Sequence, residues 1–282
     1  NNYDPLRYVL NNNLANKNGL WLEFGVWKGQ TIDLISQYNN NNIYGFDSFE
    51  GFYTKLKDTW TNQQNNNYNL NGNIPKTCDR LDKFSRKNIG KIVAFQDNVK
   101  LIKGYFDSTI PEFIKNMNDI INFMHIDCDI YSSTKIIFDL LGKYINNNCI
   151  IVLDDLINFP NFMTKEIKAL YEWIETNNIV FEYIGTQNNY HPNLNNKIIR
   201  NNKEFDEFFR DIRKKNIGTS VAIRILKNPV LKTDFINKPN NYNLSYISSS
   251  IKSNINAELG TIEKDSCGML GKFISENLRA EK

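Results

Sequence analysis

Short apolar segments alternate with amphipathic segments along most of the chain. Five apolar runs bounded by turn residues are typical of strands buried on both faces of a parallel sheet. These runs span residues 19–26, 43–47, 99–104, 123–127 and 149–155. Helical spacing of apolar residues appears between and after them, in residues 30–38, 109–117, 133–144 and 165–175. The alternation predicts strands connected by crossover helices.

Two later apolar runs, residues 180–184 and 220–226, predict further strands, with a helix over residues 203–214 between them. The total is about seven strands, and the last two are candidates for antiparallel pairing. The sequence therefore predicts an α/β fold with a doubly wound, seven-stranded, mostly parallel sheet of the Rossmann-like type.

Two segments lack such periodicity. Residues 53–88 are polar with scattered aromatic residues, among them Trp60 and Tyr68, and we interpret them as a lid-like insertion. Residues 228–282 mix Pro, Asn and Ser clusters, and we interpret them as a weakly ordered C-terminal extension. This extension is long enough to pack against a second subunit of a homo-oligomer. We therefore expect residues 1–227 to form the catalytic domain.

Composition excludes several classes of protein. A formal net charge of +3 over 282 residues is too small to indicate nucleic acid or an anionic membrane as a partner. No apolar stretch reaches the roughly 18 residues that span a bilayer. The four cysteines form no CxxC pair, which argues against a zinc site or a disulfide framework. Together with a start that does not resemble a leader, this predicts a reducing, cytoplasmic location.

The first apolar run ends in a turn in which Gly25 and Gly29 follow Glu23. Glycine lets the backbone approach a ligand closely, and the free amides at the start of the next helix can bind one. The spacing is not G-x-G-x-x-G, which argues against a dinucleotide pyrophosphate site. The turn is therefore either a cofactor-binding turn or an ordinary strand-to-helix connection.

The second apolar run ends at Asp47 and Ser48. An acidic residue about 20 positions beyond a glycine turn commonly accepts hydrogen bonds from ribose hydroxyls. Asp and Ser are also good helix N-caps, which is the structural alternative. In combination with the glycine turn, these residues favour a cofactor that contains ribose.

Carboxylates follow two apolar runs that we expect to be neighbours in the sheet, at Asp127 and Asp129 and at Asp154 and Asp155. Parallel strands end at the same edge, so these side chains converge, and carboxylates this close repel one another. A divalent cation removes the conflict, and a set of oxygen ligands favours Mg²⁺, Mn²⁺ or Ca²⁺. Helix capping is the alternative for each pair.

The two histidines differ in context. His125 lies two residues before Asp127 on the same strand face, and we interpret it as a hydrogen-bonded supporting residue. His191 lies in a polar segment expected to form a loop, where it is either a base or an exposed side chain.

Five segments occur in an order that resembles the macrocin O-methyltransferase family: LEFGVWKGQT, IYGFDSFEGF, LIKGYFDSTIP, HIDCDIYSST and IVLDDL. The resemblance covers residues 20–226. Members are class I S-adenosylmethionine-dependent enzymes that methylate sugar hydroxyls in macrolides, and relatives act on other compounds. The resemblance implies S-adenosyl-L-methionine and Mg²⁺ as cofactors, and a small-molecule or glycan hydroxyl as the acceptor.

The resemblance also implies where the methyl donor binds. The glycine turn after Glu23 looks like the cofactor turn of the family, and Asp47 looks like its ribose ligand. Gly104, Tyr105 and Phe106 follow the third predicted strand, where such enzymes hold the adenine.

The metal ligands implied by the resemblance are Asp127, Asp154 and Asp155, since similar positions carry the metal in catechol-type O-methyltransferases. Those enzymes place a basic lysine three residues after the first metal aspartate, and this chain has Ile130 there. The base on which catechol-type enzymes rely is therefore missing from its usual position.

Methyl transfer requires that donor and acceptor be aligned and that the acceptor hydroxyl lose its proton. Asp129 is our first candidate for the catalytic base, because it lies beside the carboxylate cluster, and His191 is the second. Two alternatives belong to other classes. The missing dinucleotide motif argues against a Rossmann-type oxidoreductase, and the intact carboxylates argue against a catalytically inactive relative that only binds a partner.

Overall fold

A computed structural model describes residues 4–52, 67–187, 197–213 and 218–233 of the chain. The strands in these residues are β1 Leu20–Phe24, β2 Ile43–Asp47, β3 Thr77–Leu81, β4 Asn88–Ala94, β5 Val99–Lys103, β6 Ile121–Ile126, β7 Ile145–Leu153, β8 Val180–Thr186, β9 Lys197–Ile199 and β10 Val221–Lys227. The α-helices are α1 Pro5–Asn11, α2 Gln30–Ser36, α3 Phe106–Asn116, α4 Tyr131–Leu141, α5 Glu166–Asn177 and α6 Asn202–Arg213. Short 3₁₀ turns follow α4 and precede α5, at Gly142–Tyr144 and Phe162–Thr164.

Eight strands form one sheet in the order β5-β2-β1-β6-β7-β10-β8-β9. The strands from β5 to β7 pair in parallel, whereas β10 runs antiparallel to both β7 and β8. The predicted doubly wound, mostly parallel α/β fold is confirmed. The predicted count of seven strands is wrong, because β9 adds an antiparallel edge strand beside β8. A strand of only three residues is too short to show a period, so its pairing partner defines it.

The sheet reverses its direction of growth between β1 and β6. The chain adds β2 and β5 on one side of β1 and then returns to add β6 and β7 on the other side. Ligands of open α/β sheets bind outside the carboxyl ends of the strands at such a switch point. The carboxyl ends of β1 and β6 are therefore the place to look for the site.

Helix α1 covers one face of the sheet. Asp4 caps its first turn by accepting a hydrogen bond from the backbone N–H of Arg7, at 3.0 Å. Leu6, Val9 and Leu10 are buried in the same cluster as the inward side chains of β1, β6 and β7. This helix was not predicted from the sequence, because seven residues are too few for a sustained helical period.

Helices α3, α4 and α5 cover the opposite face. Phe138 of α4 stacks on Trp173 of α5, with ring centroids 4.8 Å apart. All five residues of β1 are buried between these two helical layers, which explains why its sequence is a continuous apolar run broken only by Glu23.

Strands β3 and β4 form a separate antiparallel hairpin. It begins inside residues 53–88, where we expected a lid-like insertion, and residues 53–66 of that segment lie outside the described residues. Arg80 fastens the hairpin to α2 through two hydrogen bonds to Asp33, at 3.0 and 2.8 Å. Apolar residues of β4 such as Ile92 remain exposed, so the sequence shows no one-sided burial pattern there.

The chain divides into two units, residues 1–247 and 248–282, and every described residue belongs to the first. At the start of the expected C-terminal extension, the side chain of Asn228 donates hydrogen bonds to the carbonyl oxygens of Gly142 and Ile145. Residues 234–282 of that extension lie outside the described residues. Within the described ranges, no helix combines the length and apolar character that a membrane crossing requires.

We expect Gly25→Ala to be among the most destabilising glycine substitutions. Gly25 has φ = 88°, and a Cβ at this position would lie 1.8 Å from the carbonyl oxygen of Asp127. The backbone must shift to relieve this clash, at a cost of about 3 kcal/mol or more in the free energy of unfolding. Chemical denaturation measures this loss.

Gly90→Ala is the matched control, since Gly90 also has a positive φ but a Cβ there would meet no atom within 4 Å. Its cost should be that of the left-handed conformation alone, about 1 kcal/mol. Equal losses for the two variants would show that the contact with Asp127 does not matter.

Candidate active site

The turn that follows β1 is in direct backbone contact with the turn that follows β6. The N–H of Asp127 donates to the carbonyl oxygen of Phe24, at 2.9 Å, and the N–H of Gly25 donates to that of Phe46, at 3.0 Å. Glycine is needed at position 25 because the Asp127 carbonyl occupies the space of a side chain. The glycine turn thus sits directly beside the first predicted metal ligand.

Asp47 holds the glycine turn from the end of β2. Its Oδ2 accepts hydrogen bonds from the backbone N–H groups of Val26 and Trp27, at 2.8 and 2.7 Å, and its Oδ1 accepts one from Phe49, at 2.7 Å. Burial raises the pKa of Asp47, while these three hydrogen bonds act to lower it. The carbonyl oxygen of Asp47 accepts from Gly104 N–H, at 2.9 Å, which joins the ends of β2 and β5.

Two predicted cofactor residues serve the local fold. The Ser48 hydroxyl donates to the carbonyl oxygen of Gly51, at 2.8 Å, and accepts from Glu50 N–H, at 3.1 Å. Gly29 begins α2 with φ = 78°, and a Cβ there would lie 2.3 Å from the ring of Phe95. Packing against Phe95 therefore explains Gly29 without any ligand.

The three residues after β5 lie at the start of α3. Tyr105 precedes the helix, and its carbonyl oxygen accepts hydrogen bonds from the hydroxyls of Ser108 and Thr109, at 2.9 and 3.0 Å. The ring of Phe106 meets that of Phe24 edge to face, with centroids 5.4 Å apart. Phe24 belongs to β1, so this contact connects the α3 end of the site to the glycine turn.

Asp127, Asp154 and Asp155 converge as predicted. Each offers one carboxylate oxygen that lies within 4.8 Å of those of the other two, and each is half-buried. The N–H of Asp154 donates to the carbonyl oxygen of Ile126, at 2.9 Å, which fixes the end of β7 beside the end of β6. Three oxygen ligands at this separation, still in contact with solvent, could hold a divalent cation.

The electrostatics of this cluster favour an added positive charge. Burial and the neighbouring carboxylates Asp154 and Asp155 raise the pKa of Asp127 well above its ordinary value. Burial raises the pKa of Asp154 to about 6, and the repulsion from Asp155 acts in the same direction. Protons or a cation must offset this repulsion, and a cation can do so without neutralising the ligands.

Arg86 is a charged neighbour that the sequence analysis missed. It lies in the turn between β3 and β4, and its Nη1 donates to Asp4 Oδ2, at 2.7 Å. Its positive charge acts to lower the pKa of Glu23, Asp127 and Asp154. A single arginine in a polar segment gave no sequence signal, because only the hairpin brings it to the site.

Glu23 points along the sheet toward β6. Its Oε1 lies 2.9 Å from His125 Nδ1, in a hydrogen bond between two fully buried side chains, and His125 Nε2 lies 4.0 Å from Asp154 Oδ1. Burial and the charge of Arg86 lower the pKa of His125 to about 3, so the imidazole is neutral at physiological pH. His125 is therefore hydrogen-bonded to Glu23 of β1, and its Nε2 faces the carboxylate cluster without forming a hydrogen bond to a described residue.

Asp129 is buried and adopts the left-handed φ of 63°. Burial and a hydrogen bond with the Asp155 side chain raise its pKa well above the ordinary value. The structure thus brings the first candidate base to the cluster of Asp127, Asp154 and Asp155. The second candidate, His191, lies outside the described residues.

Glu166, at the start of α5, is a further carboxylate that the sequence analysis missed. It is fully buried, and its Oε1 accepts hydrogen bonds from the N–H groups of Cys128 and Asp129, at 3.4 and 3.2 Å. A sequence signal was available, because Glu166 shares the helical face of the buried residues Leu170 and Trp173. A glutamate on an apolar helix stripe indicates a buried polar partner.

The sheet order, with β10 reversed between β7 and β8, defines a class I S-adenosylmethionine-dependent methyltransferase fold. A family model described as macrocin-O-methyltransferase (TylF) matches residues 4–180, which is more than half of the chain. The chain therefore belongs to the macrocin O-methyltransferase family and is an S-adenosylmethionine-dependent O-methyltransferase. This assignment replaces the oxidoreductase interpretation and that of an inactive binding protein.

Similar solved structures include CalS11, a calicheamicin methyltransferase, at 18% identity and a TM-score of 0.42, over 61% of this chain and 71% of that one. The O-methyltransferase NovP shares 18% identity at a TM-score of 0.41, over 60% of this chain and 69% of that one. An O-methyltransferase from Bacillus cereus in complex with SAH shares 12% identity at a TM-score of 0.41, over 78% of each chain. Similarity at this level carries no argument about ligands. No curated protein matches the sequence.

The carboxylate cluster predicts how stability of the metal-free protein depends on pH. The pKa of Asp154 is about 6 in the folded protein and about 3.9 when unfolded. The folded state therefore binds the proton more tightly, and its stability should fall as pH rises from about 4 to 6. Thermal unfolding in EDTA should show this fall, and Mg²⁺ should raise the melting temperature more at pH 7.5 than at pH 5.

Asp154→Asn should flatten the pH dependence and reduce the shift caused by Mg²⁺. Asp139→Asn is the matched control, because Asp139 is exposed on α4 and pairs with Lys135. This account of the cluster would be contradicted if the melting temperature of the wild type rose between pH 4 and 6. A melting temperature at pH 7.5 that Mg²⁺ does not change would also contradict it.

Proposed function

We propose that the enzyme transfers the methyl group of S-adenosyl-L-methionine to a hydroxyl of a sugar or glycoside, with the assistance of Mg²⁺. The observation that carries the proposal is the convergence of Asp127, Asp154 and Asp155 at the carboxyl ends of β6 and β7. Family membership supplies the reaction class. The carboxylates supply the reason to expect a metal.

The three aspartates fit a divalent cation by their chemistry and their arrangement. Their oxygens are the ligands that Mg²⁺ prefers, and their mutual repulsion is relieved by positive charge. When bound, the cation would lower the pKa of an acceptor hydroxyl and stabilise the developing alkoxide. Asp127, Asp154 and Asp155 would hold it.

Asp129 would take the proton from the acceptor hydroxyl. Its carboxyl lies beside Asp155, to which it is hydrogen-bonded, so it is adjacent to the proposed metal ligands. Its raised pKa makes the Asp129 carboxylate a stronger proton acceptor than an ordinary aspartate. A buried position also keeps bulk water away from the proton transfer.

The glycine turn and the end of β2 would bind the methyl donor. Glu23, Gly25 and Gly29 form or flank the turn, and Asp47 and Ser48 follow β2. In this proposal Asp47 accepts hydrogen bonds from the ribose hydroxyls while it also holds the turn amides. Gly104, Tyr105 and Phe106 would contact the adenine from the start of α3.

The acceptor would enter past Tyr68. Its ring meets those of Trp27 and Phe52 edge to face, with centroids 5.5 and 5.6 Å apart. Burial and then the charges of Asp129 and Asp127 raise the pKa of the Tyr68 hydroxyl, so this side chain lies near the carboxylates. Aromatic rings are suited to contact the apolar face of a sugar. Trp60, which we also placed in the predicted lid, lies outside the described residues.

Asp154→Asn should lower the rate of methyl transfer by about 100-fold or more. Its affinity for S-adenosylmethionine should stay within about twofold of the wild-type value. The assay screens glycosides and nucleotide sugars as acceptors, with Mg²⁺ or with EDTA, and follows the release of S-adenosylhomocysteine. Calorimetry measures cofactor binding. Asp139→Asn serves again as the control for loss of a carboxylate.

Full activity of the wild type in EDTA would contradict the role of the metal. Equal loss of cofactor binding and of turnover in Asp154→Asn would remove Asp154 from the proposed metal site. Activity on phenols but not on any glycoside would contradict the proposed acceptor class.

Asp47→Ala should weaken the binding of S-adenosylmethionine by about tenfold or more. The variant loses both the proposed contact with the ribose and the hydrogen bonds from the turn amides of Val26 and Trp27. Titration calorimetry with S-adenosylmethionine measures this. Asp97→Ala, an exposed aspartate before β5, is the control. Unchanged affinity in Asp47→Ala would exclude Asp47 from the cofactor site.

A further inference from the structure

The turn that carries Asp129 needs support from elsewhere in the chain. Asp129 has φ = 63°, a conformation that residues with a Cβ adopt at an energetic cost. The backbone N–H groups of Cys128 and Asp129 both donate to a single acceptor, at 3.4 and 3.2 Å. Consecutive N–H groups directed at one point form a site for a negative charge.

Glu166 supplies the acceptor from 37 positions further along the chain. Its Oε1 accepts both N–H groups, and the Cys128 thiol approaches the same oxygen at 3.8 Å. The side chain is fully buried, and its Oε2 has no hydrogen-bond partner among the described residues. A buried carboxylate is costly, so a role in the site accounts for it better than packing does.

The direction of α5 makes this contact possible. Glu166 is the first residue of the helix, and Leu170 and Trp173 on the same face are buried. Trp173 stacks on Phe138 of α4, the helix that begins at Tyr131, two residues after Asp129. The packing of α4 against α5 therefore places the start of α5 beside the turn.

We propose that Glu166 is a positioning residue for methyl transfer. By accepting the two N–H groups, it holds the turn in its left-handed conformation and directs the Asp129 carboxyl toward Asp155. This inference rests on the proposed function, in which Asp129 is the base. Glu166 itself touches neither the donor nor the acceptor in this account.

The proposal distinguishes two substitutions of Glu166. Glu166→Gln keeps a carbonyl oxygen as the acceptor and removes the ionisable group, so it should retain turnover within about fivefold of wild type. Glu166→Ala leaves both N–H groups without a partner, so kcat should fall by at least about tenfold, because small displacements of a catalytic group are costly. KM for S-adenosylmethionine should stay unchanged in both.

Glu175→Gln is the matched control, because Glu175 is exposed on the same helix. Melting temperatures and cofactor affinities show which variants are folded. If Glu166→Ala does not fold, Glu166→Leu takes its place, since leucine fills the volume without accepting a hydrogen bond.

A double-mutant cycle with Asp129→Asn tests whether Glu166 acts through Asp129. If it does, Glu166→Ala should lower kcat by less than about twofold in the Asp129→Asn background. The positioning role would be overturned if the losses in kcat caused by Glu166→Ala and Asp129→Asn were additive. It would also be overturned if Glu166→Gln were as inactive as Glu166→Ala. Full activity of Asp129→Asn alone would instead overturn the base assigned under the proposed function, so the two failures are distinguishable.

Discussion

Repulsion among carboxylates at the ends of β6 and β7 is the constraint around which the rest of the site is arranged. Parallel pairing brings Asp127 and Asp154 to the same edge, and the hydrogen bond from Asp154 N–H to Ile126 prevents them from moving apart. Their neighbour Asp155 completes a cluster of oxygens within 4.8 Å of one another. Arg86 offsets part of this charge, and a divalent cation would offset the rest.

The glycine turn after β1 and the turn that carries Asp127 form a single structural unit. Gly25 lies against the carbonyl oxygen of Asp127, and Asp47 holds the amides that follow Gly25. Beneath them, His125 is hydrogen-bonded to Glu23, and its Nε2 lies 4.0 Å from Asp154 Oδ1. Methyl transfer requires the donor and the acceptor hydroxyl to be aligned closely. Direct backbone contact between the two turns fixes the distance between the residues proposed to bind each of them.

Much of this arrangement could be predicted from the sequence. Buried strands produced uninterrupted apolar runs, and the acidic residues that interrupt or end them stood out against that background. Chain order then placed Asp127 beside Asp154, because successive parallel strands are usually neighbours. Short or exposed elements gave no such pattern: α1, β9 and the β3–β4 hairpin were missed. Arg86 was missed with the hairpin that carries it.

The sequence by itself determined which residue types end each strand, and with them the class of fold and the carboxylate cluster, because these follow from local periodicity and chain order. Only the tertiary structure decided what each group touches. Gly25 accommodates a carbonyl of the chain, and Glu166 reaches the amide of Asp129 across 37 positions. Such contacts depend on how helices pack against the sheet, and packing is decided by long-range complementarity of shape that no local pattern encodes.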